Sequence, residues 1–475
     1  MSGSASLSLW ANAQEFGQRI DRFEGRRAYW QSEGGIRRAM LIQERPSILR
    51  SHAQAQLADI TAADIVVGIP CYNNQDSIHH VMQAISQGLA KHYPEQRAVI
   101  VVADGGSTDD TRERANTEPL PPRQKRIVTI YRGLAGKGSA FRSIFAAAVE
   151  LRAAVCSCVD SDLRSITPDW MRYLLEPVLM RDYEFVAPLY ARHKFDGTIT
   201  NNLVYCLTRA LYGKQIRQPI GGDFAFCQRL ARYYLEQPVW ETDVARFGID
   251  IWMTLNAIVA QARICQTNLG VKLHDAKDPA SALGSMFQQV CGTLFAQIEQ
   301  DFPFWSAVSG SEAIPVFGLS ELQKPDPIDI DHHHLVEAFQ QGFQLYQSLY
   351  QLIFSPPVFQ VLKQANDSAP RELDIPHRIW AKLLYELVVA YHRADGYGNR
   401  LIPYLTPLYL GQVASFVNHT RDLDFAEAEA AIATLAEDCE QEKPHLLDLW
   451  QQPPDRQQVV RLKQFLNPAI ESIER

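Results

Sequence analysis

No run of about 20 apolar residues occurs anywhere in this chain, so no segment has the length of a membrane-spanning helix. Its first residues, Met1-Ser2-Gly3-Ser4, lack the charged stretch followed by an apolar stretch that marks a secretory leader, and a cytoplasmic protein is expected. An excess of positive charge is missing as well. With 46 Lys and Arg against 54 Asp and Glu, the net charge is -8, which argues against a general nucleic-acid or anionic-membrane binder. A local basic site for phosphates stays open. The eight cysteines show no metal-ligand spacing, and Cys156 and Cys158 alternate inside an apolar run as small buried hydrophobes do. Neither a zinc site nor a disulfide framework is expected. Internal repeats, low-complexity tracts and the Gly-x4-Gly-Lys-Ser/Thr spacing of a P-loop are absent too.

What is present is an ordinary globular composition, 46% hydrophobic and 21% charged, over 475 residues, enough for two or three domains. Residues 1–55 are mixed and charged, with Arg26-Arg27 and Arg37-Arg38, and read as an N-terminal helical arm. From about residue 64 apolar strands alternate with helices. Ile65–Ile69 is a buried strand ended by Pro70; a helix follows from Ser77 to about Lys91; Ala98–Ala103 is the next strand, followed by a helix capped by Thr108. Ile127–Tyr131 and Ala153–Val159 are two further strands, separated by a helix over 139–152. This alternation predicts an α/β domain over 56–300, with a mostly parallel sheet flanked by helices. The proline-rich stretch 301–330 reads as a linker, and helical periodicity marks 331–475 as an α-helical C-terminal domain.

Polar clusters fall where these strands end, the place where such sheets bind ligands. Asp160 and Asp162 stand at i and i+2 after the strand ending at Val159, an oxygen-rich tip that suits a hard divalent cation. Pro70, Tyr72 and Asn73 close the first strand with groups able to flank a base. Asp104-Gly105-Gly106-Ser107-Thr108 closes the second, with a carboxylate for a nucleobase or ribose and glycines that permit close approach. Gly136-Lys137-Gly138 opens a helix with a lysine and free amides facing an anion. Each cluster alone is also an ordinary turn, and only their order carries weight.

That order resembles the GT-A-fold glycosyltransferases of the family 2 type. Gln218-Pro219-Ile220-Gly221-Gly222-Asp223, Phe247-Gly248-Ile249-Asp250 and Asn268-Leu269-Gly270-Val271-Lys272-Leu273-His274 are similar to the retaining group of glucosyl-3-phosphoglycerate, mannosylglycerate and glucosylglycerate synthases. The resemblance spans roughly residues 64–300 and implies a Rossmann-like GT-A sheet binding a nucleoside-diphosphate sugar and Mg2+ or Mn2+. By position, Asp104 would meet the nucleobase, Lys137 the nucleotide and Asp160 the ribose. Asp162 and His274 would hold the cation, and Gly221 and Gly222 would lie beside the donor sugar. Asp223 would bond the transferred hexose, and Asp250 would orient or deprotonate the acceptor hydroxyl. Arg192, Thr200, Asn201 and Arg217 are candidates for a small anionic acceptor such as D-glycerate or 3-phosphoglycerate.

Two departures from the group stand out. Asn73-Asn74-Gln75 replaces the acid usual after the first strand, and Gly-Gly-Asp replaces Gly-Gly-Glu, a shorter arm toward the sugar. An inverting family 2 enzyme, with Asp223 or Asp250 as base, and a non-catalytic sugar-nucleotide binder are the alternatives. The arm over 1–55 would cover the acceptor site or make homodimer contacts.

Overall fold

Ile65–Ile69 and Ala98–Ala103 are apolar at nearly every position, which suits inner strands covered on both faces. In the computed structural model, which describes residues 47–273, 279–320 and 325–467, both are buried throughout. β1 (Ile65–Cys71) pairs in parallel with β2 (Ala98–Asp104), Ile65 opposite Ala98 and Cys71 opposite Asp104. The other strands are β3 (Gln124–Ile130), β4 (Val155–Cys158), β5 (Phe185–Ala191), β6 (Lys214–Gln215), β7 (Phe224–Cys227), β8 (Ile264–Val271), β9 (Glu312–Ala313) and β10 (Val316–Gly318). Eight of them form one sheet in the order β10-β8-β5-β7-β4-β1-β2-β3, while β6 and β9 make a separate pair. The large sheet is parallel except for β7, which runs antiparallel between β4 and β5. This is the mostly parallel, helix-flanked sheet that the GT-A resemblance implies.

Each face of the sheet has its own apolar layer. Ile65, Val67, Ile100 and Val102 meet Val81, Met82 and Ile85 of the helix Ile78–His92 and Trp170, Met171 and Leu174 of the helix Asp169–Met180. On the other face Val66, Val99 and Val101 meet Phe141, Ile144 and Phe145 of the helix Lys137–Glu150. This helix lies flush on β1 because residue 68 is glycine. A Cβ there would stand 2.3 Å from Ile144 Cγ2. Truncating Ile144 to alanine therefore costs about 2–5 kcal/mol.

Four expectations need correction. β1 does not end at Pro70 but continues to Cys71. β4 reaches only as far as Cys158, opposite Gly68, so the ring's missing N–H falls where no partner strand needs it. Thr108 does not cap the following helix. That helix starts at Thr111, whose N–H bonds to Asp109 Oδ1 at 3.1 Å, while Thr108 N bonds to Asn73 Oδ1 at 2.9 Å. Residues 301–330 are not a bare linker. They hold the helix Phe302–Trp305, with Trp305 fully buried, and β10, which extends the sheet beside β8. β7 went unread because its four residues Phe224–Cys227 are too short to show a period.

The C-terminal region is helical as expected, with helices His332–Ile353, Pro356–Asp367, His377–Arg393, Ile402–Thr420, Phe425–Gln441, Lys443–Gln451 and Arg456–Leu466. Their buried residues, among them Phe339, Trp380, Tyr385 and Tyr409, belong to the same apolar layer that covers Val66 and Phe141. Residues from Leu49 onward accordingly form one compact unit. Helix Ser51–Ala58 buries Ala53 and Leu57 in that layer, and Arg50 Nε donates to Ile130 O at 2.8 Å on the outer strand β3. Most of the expected arm, residues 1–46, and residues 468–475 of the expected C-terminal domain lie outside the described residues. Among the described residues, no helix is long and apolar enough to cross a membrane. All eight cysteines are free thiols.

Candidate functional site

The antiparallel course of β7 builds the site. Its first residue, Phe224, pairs with Cys158 at the end of β4, so the residues before β7 meet the residues after β4. Asp223 Oδ1 accepts from Asp160 N at 2.8 Å. Gly222, at φ +95°, passes so close that a Cβ would stand 2.3 Å from Asp160 Oδ2; no larger residue fits. β8 ends on the same side and brings Lys272. Its Nζ bonds to Asp160 Oδ2 (3.0 Å), Asp223 Oδ2 (2.9 Å) and Gly221 O (2.8 Å). Tyr190, at the end of β5, donates its hydroxyl to Asp223 Oδ2, and its ring lies under Lys272 Nζ.

A second lysine completes the cluster. Lys137, first residue of its helix, places Nζ 2.9 Å from Asp160 Oδ1 and 3.1 Å from Asp250 Oδ2. Two lysines thus face three aspartates, leaving one excess negative charge in a nearly enclosed space. Burial works to raise the Asp160 pKa, but Lys137 and Lys272 outweigh it and hold the carboxyl far below the usual range. Burial likewise works against the charge of each lysine, and the aspartates overcome it, so both are raised and stay charged. Asp223 and Asp250 go the other way. Burial raises both, against Lys272 at Asp223 and against Lys137 at Asp250, and the neighbouring Asp160 charge adds to the rise. Asp250 Oδ1 is enclosed without a hydrogen-bond partner. Asp250 sits in the first turn of the helix Ile249–Val259, where the helix dipole favours a carboxylate, but it caps no backbone N–H.

The loops after β1 and β2 behave differently. Asp104, fully buried, accepts from Gly106 N (2.7 Å) and Ser107 N (2.8 Å) at Oδ1, and from the Ser107 hydroxyl at Oδ2. Cys71 Sγ approaches the same Oδ2 at 3.5 Å, and burial with the Asp104 charge pushes the thiol pKa up. Asp104 is therefore occupied by its own turn. Asn73, at φ +54°, gives its N–H to Ser107 Oγ (2.9 Å), and Gln75 N bonds to Asp109 Oδ2 (3.1 Å). The two loops are sewn together. Tyr72 stands beside this seam, 60% exposed, over Gly105. Pro70 lies buried beneath it within β1.

Asp162 is half-buried in the turn after β4. Arg164 N bonds to Leu273 O (2.9 Å) and Leu273 N to Ser165 Oγ (3.0 Å), so the chain leaving β8 runs beside that turn. His274, the expected second ligand, lies outside the described residues. Among the described residues no three His, Cys, Asp or Glu side chains gather as a metal cluster. Two ammonium groups already hold Asp160, which leaves that carboxylate less suited to a hard cation.

The candidate acceptor residues are spread along the segment after β5. Arg192 makes a two-point pair with Asp196 (2.8 and 2.9 Å). Thr200 and Asn201 are buried in a π-helical turn, Thr200–Val204, and Asn201 Nδ2 donates to Lys194 O and Asp196 O, each at 3.2 Å. Arg217 pairs with Glu429 of the C-terminal helices (2.8 Å twice) and gives a further bond to Asn201 Oδ1 (2.9 Å). Sequence reasoning passed over Lys272 and Tyr190 as site residues. The signal for Lys272 was a lysine placed directly after a buried strand.

Residues 66–240 match the model of the glycosyl transferase family 2. Glucosyl-3-phosphoglycerate synthase of Mycolicibacterium paratuberculosis is 27% identical over 256 residues, covering 49% of this chain and 72% of the relative. The enzyme of that name from Mycobacterium tuberculosis is 26% identical over 257 residues, covering 49% and 73%. Among solved structures, glucosyl-3-phosphoglycerate synthase from Mycobacterium tuberculosis with Mn2+, UDP and phosphoglyceric acid aligns at TM-score 0.40 and 25% identity, covering 54% of this chain and 84% of that one.

Proposed function

We propose that this chain, a glycosyltransferase with a family 2 domain over residues 66–240, moves a hexose from a nucleoside-diphosphate sugar to the hydroxyl of a small anionic acceptor, with retention of configuration. The observation that carries the reading is the convergence of Lys137, Asp160, Asp223, Asp250 and Lys272 at the strand ends, beside the turn that holds Asp162. The name of the curated relatives, glucosyl-3-phosphoglycerate synthase, supports the substrate class: an activated glucose as donor and 3-phosphoglycerate as acceptor.

In this reading Asp162, with His274, holds the divalent cation. When bound, the cation neutralises the charge that builds on the leaving diphosphate. Lys137 adds a fixed ammonium at the same diphosphate, kept charged by Asp160 and Asp250. Tyr72, Asn73 and Gly105 line the place of the base. Asp160, anchored by two lysines, serves as a fixed point beside the ribose. Gly221 and Gly222 let the sugar lie close to the backbone, and Asp223 is the carboxylate assigned to its hydroxyls. Asp250 has one carboxylate oxygen left over from Lys137 and orients the acceptor hydroxyl with it. That hydroxyl attacks the anomeric carbon from the face the diphosphate leaves, the bond to the diphosphate oxygen breaks, and that oxygen takes the proton. No nucleophile from the protein is needed.

The test is incubation with UDP-glucose or GDP-mannose, Mn2+, and either 3-phosphoglycerate or D-glycerate, with the product read by NMR. An α-linked glycoside on the acceptor is expected. A β-linked product would make Asp250 or Asp223 the base of an inverting enzyme, and no glycoside with any acceptor would overturn the acceptor class.

A further inference from the structure

Residues 191–218 leave the sheet at the end of β5 and return to it just before β7. Both ends are tied at the charged cluster. Gln218 Nε2 donates to Tyr190 O (2.8 Å), and its Oε1 accepts from Tyr190 N (3.2 Å). In between lie the π-helical turn Thr200–Val204 and the helix Tyr205–Tyr212. A π turn has poorer hydrogen-bond geometry than an α-helix and persists where its surroundings hold it.

The C-terminal helices do the holding, from several sides. Trp380 Nε1 donates to Asn202 O at 2.7 Å, and Gln412 Nε2 reaches Asn202 Oδ1 at 3.4 Å. Thr198 Oγ1 and Tyr409 OH share a 2.6 Å bond. Lys194 Nζ donates to Thr420 O, Arg421 O and Leu423 O, capping the end of the helix Ile402–Thr420. Glu429, on the helix Phe425–Gln441, takes the Arg217 guanidinium at two points. Arg217 in turn bonds to Asn201 and directly precedes Gln218, so one carboxylate governs both the π turn and the return to the site.

We propose that the C-terminal helical layer positions the acceptor side of the site, with Glu429 as the positioning residue that acts through Arg217 and Asn201. This rests on the acceptor reading above. A carboxylate serving only to fasten the layer would behave like Glu440 on the same helix, which pairs with Arg209 (2.9 Å) and accepts from Ser311 (2.7 Å) without touching Asn201 or Gln218.

The experiment compares Glu429→Ala, Glu429→Gln, Glu429→Asp and Glu440→Ala in the full chain, by transfer kinetics and by hydrogen exchange over residues 191–218. For Glu429→Ala, an acceptor KM raised about tenfold at unchanged donor KM is expected, with Glu429→Asp restoring part of it. Exchange should quicken over 194–204. Glu440→Ala should lower the melting temperature while leaving acceptor KM and exchange in that segment as in the wild type. If Glu429→Ala does not fold, Glu429→Gln, which keeps the shape and loses the charge, carries the same expectation. Equal acceptor KM and equal exchange in the Glu429 and Glu440 variants would overturn the proposal. A wild type that glycosylates neither acceptor sinks the acceptor reading alone, and the exchange comparison then still upholds or overturns positioning by Glu429.

Discussion

The loops after β1 and β2 and the cluster around Asp160 sit at the same edge of the same sheet, yet they use their polar groups in opposite ways. In the first, Asp104, Asn73, Ser107 and Asp109 bond to one another and to nearby backbone, so the loops form a rigid seam. In the second, carboxylates and ammonium groups face each other from five separate segments, with a surplus negative charge and an unpartnered oxygen on Asp250. A seam satisfies its own groups. A reactive site keeps some of them unsatisfied until a ligand comes. In the proposed reading the Gly-Gly-Ser-Thr-Asp motif is mainly a frame, and the chemistry is assigned to the lysines and aspartates beside it.

This contrast can be broken by substitution. The largest effect is expected from Lys137→Ala, which takes the fixed ammonium from the proposed diphosphate position. Turnover should fall by about 100-fold or more, measured as kcat at saturating donor. A loss under threefold would remove Lys137 from the chemistry. Next comes Lys272→Met, which leaves Asp160 and Asp223 buried without their shared ammonium. Denaturant unfolding should show about 3–5 kcal/mol less stability. Asp104→Asn should cost about 1–3 kcal/mol, since one oxygen that accepts becomes a donor inside a closed turn. Its nucleotide affinity should change little; a tenfold loss at unchanged stability would turn the seam back into a base-reading site.

The smallest effect concerns pH. Burial places the Asp250 pKa above the ordinary aspartate value, so in the fold this carboxyl takes up its proton at a pH where an exposed aspartate is still ionised. Activity that needs the carboxylate is therefore lost on acidification above the ordinary aspartate range and recovered as pH rises through the raised pKa. The profile of kcat against pH should show that acid limb, and Asp250→Asn should remove it along with most activity. An unchanged limb in Asp250→Asn would assign it to another group.

Much of the frame was legible in the sequence because parallel strands buried on both faces are continuous apolar runs, as at Ile65–Ile69 and Ala98–Ala103. The C-terminal helices showed in their periodicity for a different reason, burial on one side. What did not show depends on long-range pairing. β7 is four residues long, and its antiparallel course, which brings Asp223 to Asp160, has no local signature. Lys272 and Tyr190 likewise join the cluster only because β8 and β5 end beside Asp223, the residue before β7. Pairing also changed the meaning of residues that were read: Asp104 turned inward to its own loop, and Arg217 reached Glu429 across 212 residues of chain.

The most direct test is a calorimetric titration of UDP, with and without Mn2+, into the wild type, Asp162→Ala and Asp104→Asn. The account predicts Mn2+-dependent binding in the wild type, nearly the same affinity in Asp104→Asn, and loss of the Mn2+ dependence in Asp162→Ala. Binding that survives unchanged in Asp162→Ala and vanishes in a folded Asp104→Asn would contradict it.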